Sequence, residues 1–600
     1  MSLLIKAWDD VQWDLVQNRV RRIQRRIFKA KKLGQTKRVH WLQKHLINSV
    51  DAKLLAVQQV SSYNKDQKTA GVERVKNIDD KQKLTLTKSL KLNGKALPIR
   101  RIWIAKPGKA EKRPLDIQTM NDRAKQALAK LALEPEWEAV FEPNSYGFRP
   151  ARRAQDAIEA IFLALKYGTP KWVFDADIRK CFDRMDHNAL IAKLNTFPVM
   201  EAQIRAWLKA DIMEEYANTP KEDIIASTLG TLKGGVISPL LSNIALDGLE
   251  KHLKKFVSNI PSKPCASAKS GKTAKEKALT IVRYADDFVV IHENVDILNL
   301  CIEETKEWLK SLGLEIRAEK SSLRDVRQGF NFLGFQVMQV FEGSKYKPKI
   351  TPSRDKQAKL LLKIKGIIQA NKSSSCYRLI RILRPIVIGW ANYFKYCECK
   401  DTFNKLTHLI FQKLRAWVFR RDTRNGKKYV KEKYFPTGLK YSFHGKKYRE
   451  DWILNATQKD RKGKNQTIFL PHMSWVASAK YVKIKDTKSP YDEDHEYWNK
   501  RTAEFATFSY KVKTLIKRQN LCCTFCNKQF TPTDIIEVDH VIPIYFGGAN
   551  HYDNLQALHL ECQVRKKSQD LKSESNLQEP DEVKVSSPVL KTKVGINTAP

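Results

Sequence analysis

Tyr284-Ala285-Asp286-Asp287 stands between two short apolar runs, Ile281-Val282 before it and Phe288-Val289-Val290-Ile291 after it. That pattern predicts a β-hairpin carrying two carboxylates at its turn. Adjacent aspartates at a tight reversal repel each other, so something must offset their charge, and a divalent cation does so most simply. A second acidic site lies upstream, where Trp172-Val173-Phe174 reads as a strand running into Asp175-Ala176-Asp177-Ile178. Two sequence-distant carboxylate sites that converge suit two-metal phosphoryl transfer, because Mg²⁺ takes hard oxygen ligands and bridges attacking and leaving oxygens. Alone, the Tyr-x-Asp-Asp string is equally an ordinary acidic turn, and its neighbours must decide.

A different chemistry is concentrated near the C-terminus. Cys523-Thr524-Phe525-Cys526 and His559-Leu560-Glu561-Cys562 are two pairs with two intervening residues each, bracketing a strand expected over Ile535 to Val541. Such pairs around a ββα unit predict one tetrahedral Zn²⁺ held by Cys523, Cys526, His559 and Cys562. Cys522 could substitute for its neighbour, but the spacing favours Cys523. Between the pairs lie Asp539-His540 and, across Gly547-Gly548, Asn554. The remaining cysteines are scattered, which suits a reducing compartment rather than a disulfide framework.

The elements that must position these groups belong to a long, basic chain. At 600 residues it should hold several domains. A net charge of +44 predicts a polyanionic partner and salt-sensitive binding. A membrane surface is the competing partner, but the basic residues are spread along the whole chain and there is no run of ~18 apolar residues. The N-terminus lacks a signal-peptide core, and Asp9 and Asp10 argue against a transit peptide. The expected location is therefore where the chain is made, a prokaryotic cytoplasm or a chloroplast or mitochondrial matrix.

Residues 11–33 read as a basic amphipathic helix, with Val16, Val20, Ile23 and Ile27 on one face and Arg19, Arg22, Arg26 and Lys29 around it. Residues 61–71 form a polar loop. From 98 to 345 short apolar runs alternate with helical patterns, an α+β mixture broken at 257–277 by a basic, flexible insertion. From 352 to 425 the pattern is helical throughout, with Phe403, Leu406, Leu409, Ile410, Leu414 and Trp417 as an apolar stripe. Residues 425–505 resist typing, and the tail after 567 has a disordered composition.

Several further segments fall in a telling order. Arg101-Ile102-Trp103-Ile104-Ala105-Lys106-Pro107-Gly108-Lys109 and Lys112-Arg113-Pro114-Leu115 precede Asn144-Ser145-Tyr146-Gly147-Phe148-Arg149-Pro150 and the Asp177 site. Gly230-Thr231-Leu232-Lys233-Gly234-Gly235-Val236-Ile237-Ser238-Pro239 and the Asp286-Asp287 turn come next. Gly313-Leu314-Glu315 with Lys320, Gly329-Phe330-Asn331-Phe332-Leu333-Gly334-Phe335 and the run Leu383 to Phe394 follow. This series resembles the motifs of the group II intron reverse transcriptases, including the maturase domain. The resemblance implies an α+β right-hand polymerase: fingers and palm with an antiparallel sheet over 76–345, after a basic extension at 1–75. A helical thumb or maturase domain would span 346–455 and a DNA-binding linker 456–509.

It also implies roles. Asp177 and Asp286 would be the principal ligands of two Mg²⁺, with Asp287 assisting and Asp175 left as a structural or solvated acid. Lys106 and Arg113 would hold the triphosphate. Phe182 would exclude a 2′-hydroxyl, and Lys320 would give a proton to the leaving group. Gly234 and Gly235 would let backbone approach nucleotide and template. The chain departs from the family at Leu232 and Lys233, where Pro-Gln is usual, and at Asp66, Asp116 and Gln118, which puts the nucleotide pocket in doubt.

The Cys/His segment, 510–567, resembles an HNH nuclease of ββα-metal type. By that resemblance His540 is the general base, Asp539 ligates a divalent metal and Asn554 fixes the loop. Gln563 stands where the family has its last histidine. The implied protein binds its own intron RNA for splicing, copies it from deoxynucleoside triphosphates and nicks target DNA, as a monomer or a homodimer. Two rivals stand beside it: an RNA-binding maturase with relic active sites, favoured by Lys233 and Gln563, and a stand-alone, retron-like reverse transcriptase. The latter leaves 383–394 and the nuclease segment unexplained.

Overall fold

The computed structural model describes the chain except residues 1–6, 62–69, 106–111, 167, 180, 215–223, 226–233, 262–270, 460–462, 464, 487, 506–507, 532–533 and 579–600. It divides into two compact units, Met1–Asp494 and His495–Pro600.

In the first unit, helices Trp13–Lys32, Thr36–Asn48 and Val50–Ser61 pack on the long helix Met120–Glu138. Val16, Val20 and Ile27 are buried as the spacing predicts, and Ile23 is partly so. Polar side chains tie the same interface. Gln24 Nε2 donates to the Leu131 carbonyl at 2.9 Å, and Lys31 and Gln43 converge on the Glu136 carboxylate at 2.6 and 2.7 Å. Of the basic residues on the first helix, Arg22, Arg26 and Lys29 face solvent, whereas Arg19 is paired with Asp51 through two hydrogen bonds of 2.6 and 2.9 Å.

Two sheets follow. One is ordered 112–117, 99–105, 212–214, 224–225. Its first two strands form the basic hairpin, and there Asp116 lies opposite Arg101 and accepts from its guanidinium at 2.7 and 3.2 Å. The other is fully antiparallel, with strand order Thr280–Tyr284, Asp287–His292, Trp172–Asp177, Ser322–Asp325. Its apolar runs are unbroken because both faces are covered. Phe174, Ala176, Ile281, Phe288 and Val290 point into a core shared with the N-terminal helices. Val173, Val282, Val289 and Ile291 point into a second core with the helices beyond residue 354.

Those helices are Arg354–Ala370, Cys376–Phe394 and Lys400–Arg421, after the three-stranded sheet 330–332, 335–342, 345–352. Phe403, Leu406, Ile410, Leu414 and Trp417 are buried along the last helix, with Leu409 at the edge of the stripe. The untyped 425–505 stretch holds a short helix, Lys427–Tyr434, and two hairpins, 440–443 with 446–449 and 455–459 with 465–469. The expected 456–509 linker is not one segment, because residues 476–494 run back over the first unit. Ala479 N bonds the Lys395 carbonyl, Ile484 N bonds Asp156 Oδ1 at 2.8 Å, and the Tyr491 hydroxyl bonds Glu134 at 2.9 Å.

The second unit has helices His495–Phe505 and Tyr510–Arg518, an antiparallel strand pair Ile536–His540 with Leu555–His559, and helix Leu560–Gln578. The last helix runs past 567, where the tail was expected to begin, as far as Gln578; residues 579–600 lie outside the described residues. Among the described residues no helix is long and apolar enough to cross a membrane, and no described cysteine is joined in a disulfide.

Candidate catalytic centres

The register of the central sheet brings the separate acidic sites together. Asp177 lies directly opposite Asp287, and Asp175 lies opposite Val289 on one side and Ser322 on the other. Asp286 occupies the two-residue turn with Ala285, and its carbonyl accepts from Ile178 N at 3.2 Å. Directly opposed residues project to one face with Cα atoms ~5 Å apart, so Asp175, Asp177 and Asp287 share a face that ends at the Asp286 turn.

The electrostatics match that crowding. Burial, and then the neighbouring Asp286 and Asp177 carboxylates, push Asp287 up to about 6. Asp286 is raised by burial and Asp177. Asp175 is raised to about 7 by burial and Asp287, so it is a half-buried member of the cluster and not a solvated acid. Oxygen-only donors with surplus negative charge fit a hard divalent cation. Two side chains already offset part of it: Lys320 Nζ contacts Asp177 Oδ2, and Arg317 Nη1 lies 3.2 Å from the same oxygen. Phe182, in the short helix Cys181–Arg184 after the Asp177 strand, is half-buried.

Other expected pocket residues divide. Lys106 and Lys233 lie outside the described residues, and so does the Arg113 side chain. Gly234 has φ +105°, and a Cβ there would meet Leu115 and the Asp116 carbonyl at 3.0–3.1 Å. A Cβ on Gly235 would meet Ser238 Oγ at 2.5 Å and Gln126 at 3.1 Å. The close approach expected toward nucleotide and template is thus made first to the chain's own atoms.

Sequence reasoning missed what seats the acidic turn. Ala285 holds the left-handed φ of +58°. Arg283, fully buried and lowered by that burial, donates to the Ala285 carbonyl at 3.4 Å and to Asn243 Oδ1 at 3.1 Å. Asn243 Nδ2 donates to the Gly147 carbonyl at 2.8 Å. Tyr146 N and the Asn144 carbonyl complete a backbone pair with Arg283, both at 2.9 Å. A Cβ on Gly147 would stand 2.4 Å from Ala285 N and 2.9 Å from the Tyr284 carbonyl carbon. The available signal was a buried asparagine inside a mostly apolar helix, Ser238–Leu246.

In the second unit the ligand atoms of Cys523, Cys526, His559 and Cys562 all lie within 4.8 Å of one another. Cys522 stands outside that cluster, bridged to Gln529. His559 turns Nε2 to Asp534 Oδ2 at 3.3 Å, the carboxylate support typical of a metal-bound imidazole. This donor set fits a structural Zn²⁺. Across the strand pair, Asp539 Oδ2 and His540 Nε2 are sheltered atoms without hydrogen-bond partners among the described residues. Lys566 Nζ sits 3.6 Å from Asp539 Oδ2, and Gln563 is buried one turn earlier on the same helix. Both polar ends of the Asn554 side chain go to loop backbone: Oδ1 accepts from Ile542 N, and Nδ2 donates to the Ile542 and Ala549 carbonyls.

The first unit thus carries an acidic cluster at the end of an antiparallel sheet, and the second a Cys/His cluster on the strand pair that holds His540. Four family models match along the chain: N-terminal domain of reverse transcriptase at 8–90, reverse transcriptase (RNA-dependent DNA polymerase) at 104–337, group II intron maturase-specific domain at 357–435, and HNH endonuclease at 523–569. The chain belongs to the group II intron-encoded proteins. Among its relatives is the group II intron-encoded protein LtrA of Lactococcus lactis, 29% identical over 295 residues, covering 40% of this chain and 47% of LtrA. Protein YkfC of Escherichia coli is 32% identical over 259 residues, covering 40% of this chain and 67% of YkfC. Maturase-like protein 1 of Euglena longa is 25% identical over 430 residues, with 70% of this chain and 85% of that protein covered. The chain thus spans about half the length of LtrA.

Proposed function

We propose that this protein binds its own intron RNA, promotes its splicing, copies it into DNA and nicks target DNA. The observation that carries the copying activity is the cross-strand pairing of Asp177 with Asp287 beside the Asp286 turn. In this reading the central sheet is the palm of a right-hand polymerase, the 99–117 hairpin belongs to its fingers and the helices after 354 form its thumb. Asp177, Asp286 and Asp287 would hold two Mg²⁺, which when bound supply Lewis acidity to the primer 3′-hydroxyl and the departing pyrophosphate. Lys320 stands at Asp177 and delivers a proton to that pyrophosphate. Phe182 closes the sugar side to a 2′-hydroxyl, while Lys106 and Arg113 hold the triphosphate.

RNA is bound mainly through phosphate and shape. The exposed Arg22, Arg26 and Lys29 support this. So does a cleft of about 470 Å³ whose charged lining, Lys365, Lys372, Lys413, Arg420 and Arg421, is entirely cationic. In the nuclease, His540 takes a proton from water at Nε2, Asp539 ligates the divalent metal, and the Cys/His cluster holds the module on Zn²⁺. Lys566 at Asp539 and the neutral Gln563 favour a slower cutter than a module with histidine there.

Primer extension on an RNA template with Mg²⁺ tests the reading. The parent chain should extend and Asp286→Ala should not, while both retain RNA binding. Extension that survives Asp286→Ala sinks the copying assignment. Absence of extension in the parent chain, with splicing promoted, leaves the binding-only maturase.

A further inference from the structure

The loop that follows His540 has an unusual surface. Val541, Ile542, Ile544 and Phe546 are 49, 53, 48 and 44% exposed within one short segment. The core of the second unit is built from other residues, including Val512, Leu515, Ile516, Phe530, Ile536 and Leu558. The loop is nonetheless held in a fixed form. Asn554 grips Ile542 from both sides, Val541 N donates to the Asn554 carbonyl at 2.9 Å, and Gly548 N donates to the Pro543 carbonyl at 3.1 Å. Gly548 is packed so closely that a Cβ would lie 1.9 Å from the Ile542 carbonyl oxygen. A rigid loop that presents branched and aromatic side chains to water, directly after a candidate general base, is shaped for a partner.

We propose that this loop is a wedge that inserts Ile544 and Phe546 between base steps of duplex DNA, beside the phosphate to be cut. The proposal rests on the nuclease reading of His540. Duplex DNA is favoured over a protein partner by what surrounds the loop. Lys517 and Arg518 are exposed at the end of helix Tyr510–Arg518, and Arg518 reaches Asp553, next to the cinching Asn554, at 3.1 Å. Cations for phosphate beside apolar side chains for unstacked bases are the two halves of a DNA-deforming surface. The kink that follows opens the groove, so that His540 can reach a backbone phosphate which straight duplex would keep at a distance.

The test uses the full chain carrying His540→Ala, so that no strand is cut, and two duplexes of one sequence, fully paired or with one central mismatch. A mismatch removes part of the unstacking cost in advance, so a wedge binds it more tightly. With the loop intact the mismatched duplex should be preferred by about fivefold or more. Ile544→Ser combined with Phe546→Ser should bring that ratio to about one while leaving the slope of log K against log salt unchanged. Retention of the preference in the double variant, or its absence with the loop intact, overturns the proposal. So does loss of zinc or a lower Tm in Ile544→Ser alone, which would make the loop a packing surface. If the parent chain nicks no DNA but the mismatch ratio persists and depends on the loop, the cutting assignment falls and the wedge stands.

Discussion

Replacing Gly147 with alanine should cripple DNA synthesis from a position that carries no chemistry. Gly147 does not hold a positive φ, so alanine is compatible with its backbone, and the effect is one of contact alone. The new Cβ would sit 2.4 Å from Ala285 N, against an ordinary contact range of 3.4–4 Å, and the nearest atoms are backbone. Either the Ala285-Asp286 turn retreats or the Gly147 turn does, by about 1 Å, and overpacking of this kind typically costs ~1–3 kcal/mol. Asn243 holds the Gly147 carbonyl at 2.8 Å and is itself held by the buried Arg283, so the Ala285-Asp286 turn is the side expected to move. A displacement of ~1 Å at a group that positions reacting atoms can lower turnover about a hundredfold. Single-nucleotide primer extension should therefore show kcat down by about two orders of magnitude, with RNA affinity unchanged. Wild-type kcat in Gly147→Ala would refute the idea that this contact sets the position of Asp286. A parallel loss of RNA binding would refute it as well, by showing a general collapse.

Other outcomes follow from the same geometry. Arg149 is buried and bonds both oxygens of Glu138, at 2.8 and 3.0 Å, and the carbonyls of Glu142 and Ser145, both at 2.8 Å. Arg149→Met leaves Glu138 unpaired and should cost about 3–5 kcal/mol in denaturant titration of the first unit. Glu142, pushed up to about 7 by burial and by Asp247, binds its proton more tightly folded than unfolded. Its contribution to stability is present below its ordinary value near 4.5 and disappears as pH rises through 7; Glu142→Gln should flatten Tm against pH across that window. Removing zinc with a chelator, or making Cys562→Ser, should unfold the second unit by near-UV circular dichroism while primer extension persists. Loss of extension with the zinc would instead tie the polymerase to the Cys/His module.

What could be read from the chain alone was whatever its local pattern encodes. The Asp286-Asp287 hairpin, the Asp177 strand end and the Cys/His pairs each announce themselves within a few residues, and antiparallel pairing then brings the carboxylates together. The seat beneath the turn was not legible. Gly147, Asn243 and Arg283 come from three distant segments, and nothing in their own neighbourhoods says that they touch. The same holds for 476–494, whose contacts to Asp156 and Glu134 are long-range and whose sequence has neither helical nor strand period. Composition does not announce where the last helix stops. The charged residues after 567 continue a helix already begun at Leu560, so a segment that would not fold alone is carried on by its predecessor.

The return of residues 476–494 onto helices near Glu134 and Asp156 seals the first unit from within its own sequence. The first unit thus finishes its interior with its own polypeptide before Asp494, much as a bookend closes a shelf.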